Sequence, residues 1–585
     1  MLALLRLLPF LRPYRGAIIL GAVVAVLNNA VGILGPWLLK LAVDALQSGG
    51  TVALLAQYAA LMVAVAVAAG VLRFYMRQIL IGVSRHAELD LRNAFFAHLQ
   101  KLPASFYNRR RTGDIMARLT SDLESVRSVL GPGVMYPLDT ISMAAFVLTM
   151  MLLLSVKLTI AVLIAAPLVS LAVFYLGRVT FRLHTRIQQQ FSALSDCAEE
   201  NLAGVRVVRA FAQEEREYRK FDELNREYVQ RNLAMTRVQA LFMPLMFLLF
   251  ELVTAMVLLL GGRAIIADRL TLGGFVAFVG YLGMLAWPII AVGWVANLFQ
   301  RGAASMKRLT EIFDVVPEIA PPPVPRRPSE MRGEIEFANV SFSYDGDRPA
   351  LSQLSFVIPP GRTVAIVGRT GSGKSTLVSL IPRLFDPTEG RVLIDGIPTT
   401  DWDLHALRRT IAVVPQDAQL FSDTVSANLR FGAPDAPPED LLRAAEISQI
   451  AKDVAAFRSG YETVVGERGI TLSGGQKGRT ALARALLCDP KILILDDALS
   501  AVDTQTEEEI LDGLRHFMAG RTSIIISHRV STVKNADEIF VLDKGRLMER
   551  GTHDELIARG GYYAELDRMQ KLEAELEEMD EDAAS

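Results

Sequence analysis

The chain has 585 residues, of which 51% are hydrophobic and only 21% charged, and its mean hydropathy is +0.30. That excess of apolar residues excludes an ordinary soluble protein and puts much of the chain in a bilayer. A formal net charge of -2 argues against nucleic acid as a partner, and Cys197 and Cys488 lack the spacing of a zinc site or a disulfide framework, so both read as core or interface residues.

Residues 1–15 are apolar but broken by Arg6, Pro9 and Arg12. They read as an amphipathic elbow helix on the membrane surface, with an uncleaved signal segment as the alternative. Residues 16–318 form the expected transmembrane domain. Six apolar runs, near 17–46, 52–82, 131–156, 158–180, 238–265 and 273–300, approach or exceed the roughly 20 helical residues that a bilayer requires. The segments after the second and fourth runs are long and rich in arginine, Arg109 to Arg111 and Arg206 to Arg219 among them, whereas the loops opposite are short. By the positive-inside rule these segments and both termini are cytoplasmic, which predicts a multi-pass protein of the cell (inner) membrane. Helical periodicity persists through the long segments, so the spans should continue as helices beyond the bilayer. Asp139 and Glu251 fall within spans, where a carboxylate is costly unless it faces a cavity or a partner, and both are candidates for holding a cationic part of a substrate. Lys40 and Asp44 are spaced for a local ion pair.

Residues 319–332 are proline-rich and read as an extended linker. From 333 to 565 short β-rich runs alternate with helices, the pattern of an α/β domain with a largely parallel sheet. Within it, GRTGSGKST, Gly368 to Thr376, follows the strand TVAIV and opens a helix, fitting G-x-x-x-x-G-K-[ST]. The backbone of Gly368, Thr370, Gly371, Ser372 and Gly373 would curl around phosphates, Lys374 would neutralise the β/γ oxygens, and Ser375 would reach Mg2+, with Thr376 beside it. The later run LILDD ends on Asp496, a second Mg2+ contact. Residues 566–585 form an acidic helix with Leu572, Leu576 and Met579 on one face, read either as a solvated tail or as a surface for a partner subunit.

Between the phosphate loop and Asp496 stands LSGGQ, Leu472 to Gln476. Its order among the other motifs resembles the ATP-binding-cassette (ABC) transporters, and the membrane half is similar to exporters of the multidrug, lipid and peptide type. The resemblance covers nearly the whole chain: one helical six-span transmembrane domain fused to one α/β P-loop ATPase, half a transporter. It implies that Tyr344 in FSYDG stacks on adenine, that Gln416 in VVPQD senses Mg2+, that SAVD ending at Asp503 is the D-loop, and that His528 in IISHR is the switch histidine. GERG, Gly466 to Gly469, resembles a loop that exporters set against the membrane domain. It further implies a head-to-tail dimer in which Ser473, Gly474, Gly475 and Gln476 close the ATP site of the other subunit.

One position departs from the family pattern. The residue after the Mg2+ aspartate is normally a glutamate that polarises the attacking water, and here it is Asp497. One methylene fewer withdraws the carboxylate by about 1.5 Å, and a misplacement of about 1 Å can cost on the order of 10²-fold in rate. The chain therefore resembles the degenerate-site subunit of asymmetric, heterodimeric exporters: slow at its own phosphate loop, but lending an intact signature to a non-identical partner. The expected function is ATP-driven export of amphipathic drugs, lipids or peptides by alternating access, with ATP and Mg2+ as cofactors. The alternatives are a homodimeric lipid flippase and an ATP-binding membrane regulator that transports nothing.

Overall fold

A computed structural model describes residues 2–328, 330–344, 346, 348–466, 469 and 471–572. The chain divides into two compact units. One comprises Met1–Leu99 and Gly113–Val315, and the other Gln100–Thr112 with the chain from Val316 onward.

The first unit is helical. Among the described residues four helical stretches are long and apolar enough to cross a membrane: Ala3–Gln47, Val52–Leu99, Thr112–Leu154 and Glu214–Ile266. Shorter apolar helices, Val156–Ala165 and Leu272–Met284, fall where the fourth and sixth runs were expected. The first and sixth runs are not continuous helices. Helix Arg15–Gly32 gives way to Leu34–Gln47, and Leu272–Met284 gives way to Ala286–Phe313. Each break has the same cause: Pro36 and Pro288 have no N–H to offer the carbonyls of Gly32 and Met284, four residues upstream, where the preceding helix ends.

The two broken runs pack together. The buried Tyr281 hydroxyl donates to the Ile33 carbonyl at the first break (2.8 Å). Asp44 pairs with Lys40 (3.1 Å), as the spacing predicts, and also accepts from the Gly273 N–H (2.9 Å) at the start of the other helix. A Cβ on Gly273 would lie 2.3 Å from the Lys40 carbonyl, so this approach needs glycine. Helices Val156–Ala203 and Glu214–Ile266 run side by side as an arm, joined through the short helix Val205–Ala210. Leu202, Val207 and Phe211 around that tip are 75%, 61% and 72% exposed.

Among its described residues the second unit carries ten strands: β1 Ile335–Phe342, β2 Leu351–Ile358, β3 Thr363–Gly368, β4 Glu389–Ile394, β5 Ile397–Pro398, β6 Ile411–Val414, β7 Ile492–Asp496, β8 Thr522–Ile526, β9 Glu538–Asp543 and β10 Arg546–Gly551. An antiparallel sheet has the order β2-β1-β4-β5, and a six-stranded sheet the order β10-β9-β3-β8-β7-β6, parallel except for β10. Strands β7 and β8 are buried at every position, and β3 is at all but its first, as expected for strands covered on both faces. Because β3, β8 and β7 are parallel neighbours, their carboxyl ends lie together. Ile366 and Asp496 both pair with Ile526, so the loops that follow β3, β7 and β8 leave one edge of the sheet, where open α/β sheets place their ligands.

Candidate nucleotide site

The three loops at that edge carry most of the residues predicted from sequence. After β3, Gly368, Gly371 and Gly373 adopt φ of +155°, +81° and +101°, and the chain curls before entering helix Lys374–Leu380. A Cβ on Gly368 would come within 2.2 Å of the Leu542 carbonyl, and one on Gly373 within 2.6 Å of the Ala350 carbonyl. The glycines are therefore required both by backbone conformation and by space. Lys374 is buried and donates from Nζ to the carbonyls of Gly368 (2.9 Å) and Arg369 (3.0 Å) of its own loop. Burial lowers its pKa, opposed by the nearby Asp496 and Asp497. Among the described residues the buried Ser372 hydroxyl has no hydrogen-bond partner. A loop that bends its ammonium group back on itself and leaves a polar atom unsatisfied fits a bound polyphosphate, which would engage both.

The acidic pair stands at the end of β7, Asp496 being the last residue of the strand. Burial raises the Asp496 carboxyl above the usual carboxylate range; the neighbouring Asp497 adds to this, while a hydrogen bond from Ser375 and the charge of Lys374 oppose it. Ser375 and Asp496 supply two adjacent oxygens, a donor set suited to Mg2+. Asp497 has φ +50°, unusual for a residue with a side chain, and its N–H is tied to the Ile526 carbonyl (2.9 Å). The Gln416 amide, after β6, donates to the Asp497 carboxylate at 3.4 Å. His528 follows β8 and is exposed. The structure thus brings Lys374, Ser375, Asp496, Asp497, Gln416 and His528 to one edge of the sheet.

Tyr344 stands with its hydroxyl 3.1 Å from Thr376 Oγ1 and edge-on to Phe342 and Phe385, with ring centroids 4.9 and 5.4 Å away. It is 45% exposed, so part of the ring is open to solvent. Its carbonyl accepts from Arg109 (3.0 Å), one of the arginines of the segment after the second apolar run, a contact that no local sequence pattern marks.

The signature starts a different element. Ser473 caps helix Gly474–Leu487 with a complete capping box: its hydroxyl accepts from the Gln476 N–H (3.2 Å), and Gln476 Oε1 accepts from the Ser473 N–H (3.0 Å). Gln476 also donates to Asp453 (2.9 Å). The D-loop joins this element to the acidic pair. Ser500 Oγ donates to the Asp497 carbonyl (2.8 Å), and a Cβ on Gly475 would lie 2.9 Å from the Ala501 carbonyl. Asp503 caps the next helix, Thr504–Met518, accepting from the Thr506 N–H (2.9 Å). In GERG, Glu467 and Arg468 lie outside the described residues, as do Leu576 and Met579 of the acidic tail.

The intramembrane candidates differ from each other. The Asn29 amide donates to the Asp139 carboxylate (3.0 Å), to its carbonyl (2.9 Å) and to Ser142 Oγ (2.7 Å), so Asp139 belongs to a polar cluster between two helices. Glu251 is exposed on the flank of helix Glu214–Ile266.

Comparison with known proteins finds relatives of both halves of the chain. The family model described as "ABC transporter transmembrane region" matches residues 18–289, and the one described as "ABC transporter" matches 351–500. The chain is 38% identical over 93% of both chains to a probable multidrug resistance ABC transporter ATP-binding/permease protein, YheI, of Bacillus subtilis. It is 36% identical to the multidrug resistance-like ATP-binding protein MdlA of Escherichia coli, over 97% of this chain and 96% of that one. Against an ATP-dependent lipid A-core flippase of Burkholderia orbicola it is 37% identical, over 97% of this chain and 96% of the other. Among solved structures, a bacterial Atm1-family ABC exporter with ATP bound superposes with a TM-score of 0.77 at 31% identity, covering 96% of this chain and 98% of that one.

Proposed function

Given that this chain belongs to the ABC transporter family, with a multi-pass membrane domain fused to its ATP-binding domain, we propose that it is one half of a heterodimeric exporter of amphipathic substrates, with a degenerate ATP site on its own phosphate loop. ATPase-coupled export of the multidrug or lipid-flippase type follows from the family. The heterodimer rests on one observation: the base position holds Asp497, its backbone tied to β8. With that backbone fixed, the shorter side chain has little freedom to recover the missing reach.

Bound Mg2+–ATP would supply a γ-phosphoryl group already polarised for attack by water. Tyr344 would stack on the base, and the phosphate loop and Lys374 would hold the β/γ oxygens. Ser375, Asp496 and Gln416 would hold the metal. Asp497 Oδ2, which accepts from the Gln416 amide, would take a proton from the attacking water, from farther back than a glutamate would. His528 would contact the γ-phosphate. Ser473, Gly474, Gly475 and Gln476 would serve the partner's site, where a glutamate base would hydrolyse quickly. The arm tip, with Leu202, Val207 and Phe211 exposed, supports a second subunit, since a lone chain would leave that apolar surface in water. Both termini would be cytoplasmic. The Asn29–Asp139–Ser142 cluster and Glu251 are the places proposed to meet a cationic part of the substrate.

Purification from the native membrane followed by mass spectrometry tests the assembly. The expected result is a second, different half-transporter in equal amount. A single chain, turning over ATP as fast as the native assembly, would overturn the heterodimer. A homodimeric lipid flippase is the second reading, favoured by the similarity to the lipid A-core flippase. Lipid translocation in vesicles by the purified single chain is its signature.

A further inference from the structure

The turn that carries His528 is gripped by a side chain for which the nucleotide chemistry gives no reason. Gln570, in the helical stretch 562–572, donates from Nε2 to the His528 carbonyl (2.6 Å) and accepts at Oε1 from the Val530 N–H (2.8 Å). The carbonyl of one residue and the N–H two residues on are the groups that a neighbouring parallel strand would engage, so one amide acts as a strand would along Arg529. A second anchor comes from the helix capped by the D-loop aspartate. Glu507, only 3% exposed, accepts from the Arg529 guanidinium and the Thr532 hydroxyl. The Gln570 helix is itself seated firmly, with Tyr563 fully buried and its hydroxyl 2.8 Å from His553 Nδ1.

His528 is exposed, so water would satisfy its carbonyl if Gln570 were absent. What the bidentate grip adds is direction. It fixes the peptide planes on both sides of Arg529, and with them the line along which the imidazole leaves the backbone. Resting on the reading of His528 as the group that meets the γ-phosphate, we infer that Gln570 is a positioning residue for hydrolysis at this chain's phosphate loop, coupling the C-terminal helix to turnover. Small errors in placing a reacting group are expensive, about 10²-fold per 1 Å, so losing this restraint should cost roughly tenfold in kcat while leaving ATP binding intact.

The test uses the full assembly in lipid nanodiscs with Asp497→Glu as background, so that hydrolysis at this chain's own loop is strong enough to follow. Gln570→Leu should lower kcat about tenfold with KM for ATP unchanged. Gln570→Glu keeps the shape and the acceptor but cannot donate while ionised. Its deficit relative to the background should shrink as pH falls toward the carboxyl range, about 4.3 for a free glutamate, whereas that of Gln570→Leu should not. Met569→Ala, an exposed neighbour, should match the background. A full-rate Gln570→Leu beside an inactive His528→Ala would overturn the positioning role alone. An active His528→Ala would overturn the reading of His528 on which it rests. A rise in KM matching the fall in kcat would also overturn it, since the site as a whole would then have been distorted.

Discussion

Asp497 and Asp496 are adjacent in sequence yet differ in what limits them. For Asp497 the proposed limit is reach. Asp497→Glu restores the missing methylene, and phosphate release from this chain's loop should rise by up to about 10²-fold, with nucleotide affinity unchanged. No gain would mean that the degenerate reading is wrong. For Asp496 the limit is the cost of charge in a buried setting. Its folded pKa is raised, chiefly by burial and then by Asp497. A carboxyl raised in this way contributes stability that is present in full below the unfolded value, about 3.9, and is lost as pH rises through the folded value. The nucleotide-free protein should therefore lose stability across that window, and Mg2+–ATP should restore it on the alkaline side, where the metal replaces the proton. Thermal melts against pH, with and without Mg2+–ATP, measure this, and Asp496→Asn should remove the slope. The phosphate-loop residues were legible in the sequence because phosphate chemistry wants glycines, a lysine and a hydroxyl at fixed spacing, and the acidic pair because it ends an apolar strand downstream of them. Gln570 was not, because its role depends on a turn about 40 residues away in sequence and no local pattern marks it.

At the level of elements, hydropathy located the apolar runs but not their continuity. Pro36 and Pro288 are plain in the sequence, yet each lies inside a run apolar enough to read as one helix; the breaks fall upstream, where the lost N–H would have bonded. The Lys40–Asp44 pair was readable from its spacing, but its second task, capping the helix that begins at Leu272, depends on a distant segment. Tyr281 ties the two breaks together, and Tyr281→Phe leaves the Ile33 carbonyl buried without that donor. A loss of roughly 1–3 kcal/mol is expected, visible as a lower melting temperature in detergent; an unchanged melt would show that the carbonyl finds another partner. In the ATPase domain, Ser473→Ala removes the cap of the signature helix and should cost about 1 kcal/mol locally. Because this signature is proposed to serve the partner's site, the effect should appear as weaker ATP dependence of the fast site.

For the whole molecule, the alternation of apolar runs with arginine-rich segments, followed by a proline-rich linker and a β-rich half, was enough to foresee a helical membrane domain fused to a P-loop ATPase. What the sequence could not display is which surfaces are left open. Leu202, Val207 and Phe211 look like ordinary helix residues in one dimension, and only folding collects them at the tip of an arm. If that tip docks on a second subunit, Phe211→Asp should shift the purified assembly toward single chains on size exclusion and depress ATP turnover without unfolding either domain. Retention of the full assembly would assign the tip to some other contact.

The D-loop touches both Asp497, whose carbonyl accepts from Ser500, and the signature helix, where Ala501 lies against Gly475. In the proposed dimer this would make the two ATP sites mechanically inseparable for an experimenter. If the proposed dimer holds, a substitution at Ser500 or Ala501 intended to probe this chain's own site should also displace what it would lend to its partner. Attribution to one site or the other then requires paired changes, one in each subunit, with the non-additive remainder taken as the measure of their communication.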